Sequence, residues 1–193
     1  MEYVNRKDER YYIFQGRTKT GKPKYFTSKR EFSEKGVQIA SLPDEFEIFE
    51  DPGNATVVVR RRTRSRILPE ERDLVQRLAL ELSAYSCVQT IVDGDRIVVY
   101  TPDRDPIAAA AAMAYVFGSA PSEASDWTRR HTRYNAEIRF TIRDIDERTY
   151  VSERYCYRSS SEGWIRIGGP APLESLARKL VKHLGRESFF ELF

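Results

Sequence analysis

The chain is poor in the residues from which catalytic and metal sites are most often assembled. Its 193 residues include only two cysteines, two histidines, two methionines and two tryptophans. Cys87 and Cys156 are too few for a disulfide framework or a four-ligand structural zinc site, and both read as small core residues on strands. His131 and His183 stand far apart, and no Ser/His/Asp or Cys/His arrangement can be assembled by spacing, so no catalytic residue is assigned. His183 falls near an expected helix end, where the helix dipole favours positive charge. No apolar run approaches the roughly 20 residues that span a bilayer, and Met1–Lys7 lacks the apolar core of a signal peptide. The expectation is a cytoplasmic protein without a membrane partner or a cofactor. Hydrophobic residues make up just 40% of the chain, yet aromatics contribute 12%, enough ring area for a packed core at this length.

Charge of one sign is also missing where it matters. The formal net charge is +3, but residues 1–66 hold 15 basic and 10 acidic residues (+5), residues 67–135 carry −3 and residues 136–193 carry +1. From Tyr11 to Arg30 there is no acid at all, against Arg17, Lys19, Lys22, Lys24, Lys29 and Arg30. Arg60–Arg66 forms a second basic run, and no lysine occurs between Lys35 and Lys179. This contrast suggests a basic module over 1–66 and a body over 67–193, or one integrated domain.

Local patterns fill in the elements. Tyr11–Gln15 and Pro23–Thr27 are rich in β-formers and flank Gly16–Lys22, whose turn chemistry predicts a hairpin with a basic loop. Glu45–Glu50 alternates, Asp51-Pro52-Gly53-Asn54 turns, and Thr56–Arg61 is β-branched, which predicts a second hairpin. The four strands are expected to form one small sheet. Pro69, Glu70 and Glu71 open a helix that carries Leu74, Val75, Leu78, Leu82 and Tyr85. Val88–Val92 and Arg96–Tyr100 flank Asp93-Gly94-Asp95, a hairpin signal. Asp105 caps a helix that begins at Pro106 and runs to Phe117. Ser119–Asp126 reads as loop, Ile138–Arg143 as a half-buried strand, Thr149–Tyr157 as its partner and Gly163–Ile165 as a short third strand. Pro172 opens a last helix with the stripe Leu173, Leu176, Ala177, Leu180, Val181 and Leu184, ended by Gly185. Phe189–Phe193 is apolar enough to dock, and Arg154–Tyr157 with Trp164 suggests an aromatic cluster beneath that helix. The fold class is therefore α+β: a small antiparallel β-rich N-terminal module and a body of antiparallel hairpins packed with about three helices.

Gly16–Lys22 matches the G-x-x-x-x-G-K spacing of a phosphate-binding loop. The match fails at Pro23, where a Ser or Thr hydroxyl should meet Mg²⁺, and in Lys24–Thr27, which continues as strand where a helix is required. Asp93, Asp95, Asp103 and Asp105 serve turns and a cap more naturally than a metal. What remains is a basic, aromatic hairpin: Arg17, Lys19, Lys22 and Lys24 as phosphate contacts, with Tyr12 and Tyr25 as stacking candidates. Its plainer alternative is a solvated hairpin tip whose rings pack inward.

The stretch Tyr12–Phe26, with Leu42–Glu50 and Val57–Arg61, resembles the opening of a group of prokaryotic proteins to which no activity is assigned; Arg154–Arg158, Trp164, Pro172-Leu173 and Ser188–Phe190 are similar at the other end. Roughly the first thirty residues also resemble the arm-type DNA-binding domains of tyrosine recombinases, whose small sheet carries a Lys/Gly hairpin before an aromatic strand; no recombinase catalytic domain can be placed downstream. The first likeness transfers no functional residue, and the second adds slightly to the expectation of nucleic-acid binding. The leading expectation is thus a non-enzymatic binding module for nucleic acid or another anionic partner. Next comes a protein-interaction or homo-oligomerisation module, and an enzyme stands third.

Overall fold

A computed structural model of the chain describes residues 1–118, 121–158 and 161–192. The fold is α+β: among the described residues, four α-helices accompany eleven strands, and every strand pairing is antiparallel. The chain divides into two units, Met1–Arg62 and Thr63–Phe193.

In the first unit β2 (Arg10–Arg17) is the central strand. One edge pairs along its length with β3 (Pro23–Ser28). The other edge is shared by β1 (Glu2–Val4), opposite Arg10–Tyr12, and β4 (Gly36–Gln38), opposite Phe14–Gly16. A separate two-stranded sheet is made by β5 (Phe46–Glu50) and β6 (Val57–Arg61). The single four-stranded sheet expected from the two hairpins is therefore corrected. Sheet pairing of β2 is taken up by the short β1 and β4, while β5–β6 meets the β2–β3 ribbon by side chains instead: Tyr25 lies 4.6 Å from the Phe46 ring and Thr27 Oγ1 donates to the Val57 carbonyl at 2.6 Å. Gly16 is required where β2 and β4 meet, because a Cβ there would lie 2.4 Å from the Lys35 carbonyl oxygen.

The second unit is one five-stranded sheet in the order β11-β10-β9-β8-β7, formed by β7 (Gln89–Asp93), β8 (Arg96–Pro102), β9 (Tyr134–Asp144), β10 (Thr149–Arg158) and β11 (Ser161–Pro172). Helix α1 (Pro69–Leu82) and helix α4 (Leu173–Leu180), continued by a 3₁₀ turn at Val181–His183, cover one face. Their stripes of Val75, Leu78, Ala79, Leu176, Ala177, Leu180, Val181 and Leu184 close over Ile97, Val99, Ile138, Phe140 and Tyr150. Several of these side chains are wholly withdrawn from water, and each such burial contributes about 1.5–3 kcal/mol.

Other expectations change here. Neighbouring strands β8 and β9 are joined by a long excursion that holds α2 (Pro106–Phe117) and α3 (Pro121–His131), so part of the Ser119–Asp126 segment is helix rather than loop; Ser119 and Ala120 lie outside the described residues. The strand at Gly163–Ile165 extends to twelve residues because β10 pairs along it from Thr149 to Arg158. Tyr155 and Trp164 do make an edge-to-face pair at 5.4 Å, but on the sheet face opposite α4, with Arg139 4.4 Å from the Trp164 ring; the Tyr157 side chain lies outside the described residues. Alternation turns Arg154 instead to the core face. Cys87 precedes β7, and neither free thiol is fully buried. Phe189 docks while Phe190 is exposed; Phe193 is not among the described residues.

Candidate functional site

The β2–β3 register fixes the hairpin end. Arg17 pairs with Pro23, which leaves Thr18–Lys22 as the loop. Thr18 N–H donates to the Lys22 carbonyl and Gly21 N–H to the Thr18 carbonyl, both at 2.9 Å, while Lys22 N–H reaches Thr18 Oγ1 at 3.1 Å. Gly21 takes φ +80°, a conformation that favours glycine, and nothing lies within 4 Å of the position a Cβ would occupy. The loop is thus internally bonded yet surrounded by solvent, and every residue from Arg17 to Lys24 is exposed.

Several cations elsewhere in the unit are paired with acids. Arg6 is paired with Glu50 at 3.0 Å, Arg10 with Glu2 at 3.2 Å, Lys29 with Glu9 at 2.5 Å and Arg60 with Glu47 at 2.7 Å. Arg17, Lys19, Lys22 and Lys24 have no acidic partner among the described residues. The second basic run is less free: Arg60 is held by Glu47, and Arg66 by Asp95 at the β7–β8 turn.

The aromatic candidates are placed differently from the cations. Tyr25 pairs with Gln15, and Tyr12 with Ser28, so the two rings occupy opposite faces of the ribbon. Both are half-buried, and Tyr25 is already packed on Phe46. Lys19 and Lys22 lie in the loop, Arg17 and Lys24 on the strand ends beside it and on opposite faces of the ribbon, and the two rings do not join them as a stacking platform. Both faces are covered because Tyr11 and Ile13 are buried on one side and Phe14 on the other, where it stacks on Phe26 at 5.5 Å.

Two features of the second unit are not singled out as sites by the sequence. The first is the α2–α3 pair, of which only α2 and its Asp105 cap are expected. Asp105 caps α2, accepting from Ile107 N–H at 2.9 Å and Ala108 N–H at 3.1 Å, and it also accepts from Ser86 N–H at 3.1 Å. Burial acts to raise its pKa, but these bonds prevail and hold it below the usual value. Helix α2 contains no charged residue, yet Ile107, Tyr115 and Val116 are 62%, 92% and 68% exposed. Across from it on α3, Trp127 stacks on His131 at 4.2 Å. The second feature is Glu137, set in an irregularity of β9 beside a cavity. His183, by contrast, is not a favoured cation: burial, with Lys182 and Arg186 nearby, depresses its pKa, and its Nδ1 lies 2.8 Å from Ser188 Oγ.

Among the described residues no group of three or more His, Cys, Asp and Glu side chains is arranged to hold a metal ion, and no helix is long and apolar enough to cross a membrane. Comparison with protein-family models, curated proteins and solved structures finds no match.

Proposed function

We propose that the first unit binds a nucleic acid through its phosphate backbone, with Arg17, Lys19, Lys22 and Lys24 as the contacts. The observation that carries this reading is the concentration of unpaired charge: within Arg17–Lys24, an exposed, acid-free hairpin end, four cations have no acidic partner among the described residues, while Arg6, Arg10, Lys29 and Arg60 of the same unit are paired. Like charges so close repel one another, and a polyanion relieves that repulsion while releasing its counterions. Tyr12 and Tyr25 contribute as packing beneath the tip, so recognition rests on phosphates and not on base stacking. Such contacts are indifferent to sequence.

Fluorescence anisotropy with a labelled duplex tests the proposal. Four phosphate contacts give a log–log salt slope of about −3.6, a loss of roughly 150-fold between 50 and 200 mM salt. Replacing Lys19, Lys22 and Lys24 by Ala leaves one contact and a slope of about −0.9. Absence of binding at 50 mM salt, or an unchanged slope in the triple variant, refutes it.

A second reading is self-association through α2. An exposed apolar helix face marks an interaction surface, and because α2 carries no charge, two copies of it meet without like-charge repulsion.

A further inference from the structure

Glu137 is a carboxylate that the fold places deliberately and leaves unpartnered. Between β8 and β9 the register shifts: Val99 is opposite Ile138 and Tyr100 is opposite Ala136, so Glu137 has no cross-strand partner. Such bulges re-aim a side chain and recur beside functional sites. Here the carboxylate lines a cavity of about 320 Å³ together with Tyr85, Phe189, Phe190, Arg186 and Glu187, a volume at the lower end of the roughly 300–1,000 Å³ of small-ligand sites. Among the described residues it accepts no hydrogen bond and forms no ion pair.

The ring-bearing wall is fixed in place. Arg154, 5% exposed, donates through Nε to the Leu192 carbonyl at 2.9 Å and through Nη2 to the Phe190 carbonyl at 3.3 Å, with its guanidinium 5.7 Å from the centre of the Phe189 ring. Phe189 and Phe190 meet edge to face at 5.7 Å. The segment is therefore tied down from within the core, not resting loosely on it.

We propose that this cavity binds a small organic monocation, an alkylammonium, with Glu137 as its counter-ion and the rings of Tyr85, Phe189 and Phe190 around its carbon atoms. The chemistry follows from the lining. Two carboxylates, Glu137 and Glu187, share the cavity wall with one guanidinium, Arg186, and Arg154 behind the wall is already engaged with the Leu192 and Phe190 carbonyls. Aromatic faces attract cations, most strongly where water is displaced. A half-buried carboxylate without a hydrogen-bond or ion-pair partner carries a partial desolvation cost that a bound cation removes. Burial pushes Glu137 up to about 7, with the positive charge of Arg154 pulling the other way, so cation binding draws the proton off. The charged and titratable groups around it are Arg154 from β10, Arg186 and Glu187 from the segment after α4, and the Tyr85 phenol from the segment after α1.

Isothermal titration of the full chain with choline chloride, against its uncharged isostere 3,3-dimethyl-1-butanol at constant ionic strength, tests the inference. Choline gives saturable binding and the isostere none, and affinity for choline rises about tenfold from pH 6 to pH 8 as Glu137 ionises. Glu137→Gln loses the binding at both pH values. Glu137→Asp, which keeps the charge but withdraws it by one carbon, binds more weakly and keeps the pH dependence. Phe189→Leu weakens choline several-fold. Equal affinity for the isostere, no saturable heat across the millimolar range, or undiminished binding by a folded Glu137→Gln variant overturns it.

Discussion

Glu71 is the most informative residue to perturb for stability, because it joins the start of α1 to the turn between β9 and β10. Its carboxylate accepts from Leu68 N–H at 2.9 Å and from Arg148 Nε at 2.9 Å, and Arg148 Nη2 completes a bidentate pair. The same guanidinium reaches the hydroxyl of the buried Tyr150 at 3.2 Å. Arg148 itself sits at φ +49°, a left-handed conformation that costs a non-glycine residue about 1–2 kcal/mol, so these bonds also secure the turn. Glu71→Gln keeps the shape and one acceptor oxygen but removes the charge and sets an amide donor against other donors. A charge-assisted hydrogen bond contributes about 1.5–3 kcal/mol. The Arg148 side chain is 31% exposed and regains water once released, which places the loss at about 2 kcal/mol in urea unfolding at pH 7. Burial alone would raise the Glu71 pKa, but the Leu68 amide, Tyr150 and Arg148 together hold it below its ordinary value. A depressed carboxylate stabilises the fold above its unfolded pKa of about 4.3 and ceases to do so as pH falls through the lower folded value. The gap between wild type and Glu71→Gln is accordingly full at pH 7 and narrows below about pH 4. A gap under about 0.5 kcal/mol at pH 7, the size expected of an ordinary surface substitution, or one that fails to narrow in acid, refutes this account of the contact.

Two further outcomes follow from the α2 region. Asp105→Ala removes the acceptor for two α2 amides and for Ser86 N–H, and a loss of about 1 kcal/mol in thermal or urea unfolding is expected; no change would show that α2 is not secured by its cap. If α2 mediates self-association, light scattering gives twice the chain mass at high concentration, and Ala111→Glu, at an exposed α2 position, returns it to the monomer value. A monomeric wild-type mass at every concentration excludes that reading.

Locally encoded features were legible from residue order alone. Gly21 and its flanking β-formers specify the β2–β3 hairpin, Asp51-Pro52-Gly53-Asn54 the turn between β5 and β6, Asp105-Pro106 the start of α2, and Leu173–Leu184 a buried stripe, because each depends on contacts within a few residues. The acid-free run around Arg17, Lys19, Lys22 and Lys24 is likewise a property of composition. Tertiary structure alone decided which of these elements share a sheet. The pairing of β8 with β9 spans the whole α2–α3 excursion, and the sharing of one β2 edge by β1 and β4 depends on segments distant in sequence. It also decided that Tyr12 and Tyr25 face opposite ways, since a ribbon covered on both sides carries no alternation to read. Glu137 is the sharpest case. In the sequence it is one acid in a strand; a one-residue register shift and the distant Phe189–Leu192 segment turn it toward a cavity and withdraw part of it from water. Register and burial are set by pairing partners far along the chain, and no local pattern around residue 137 records them.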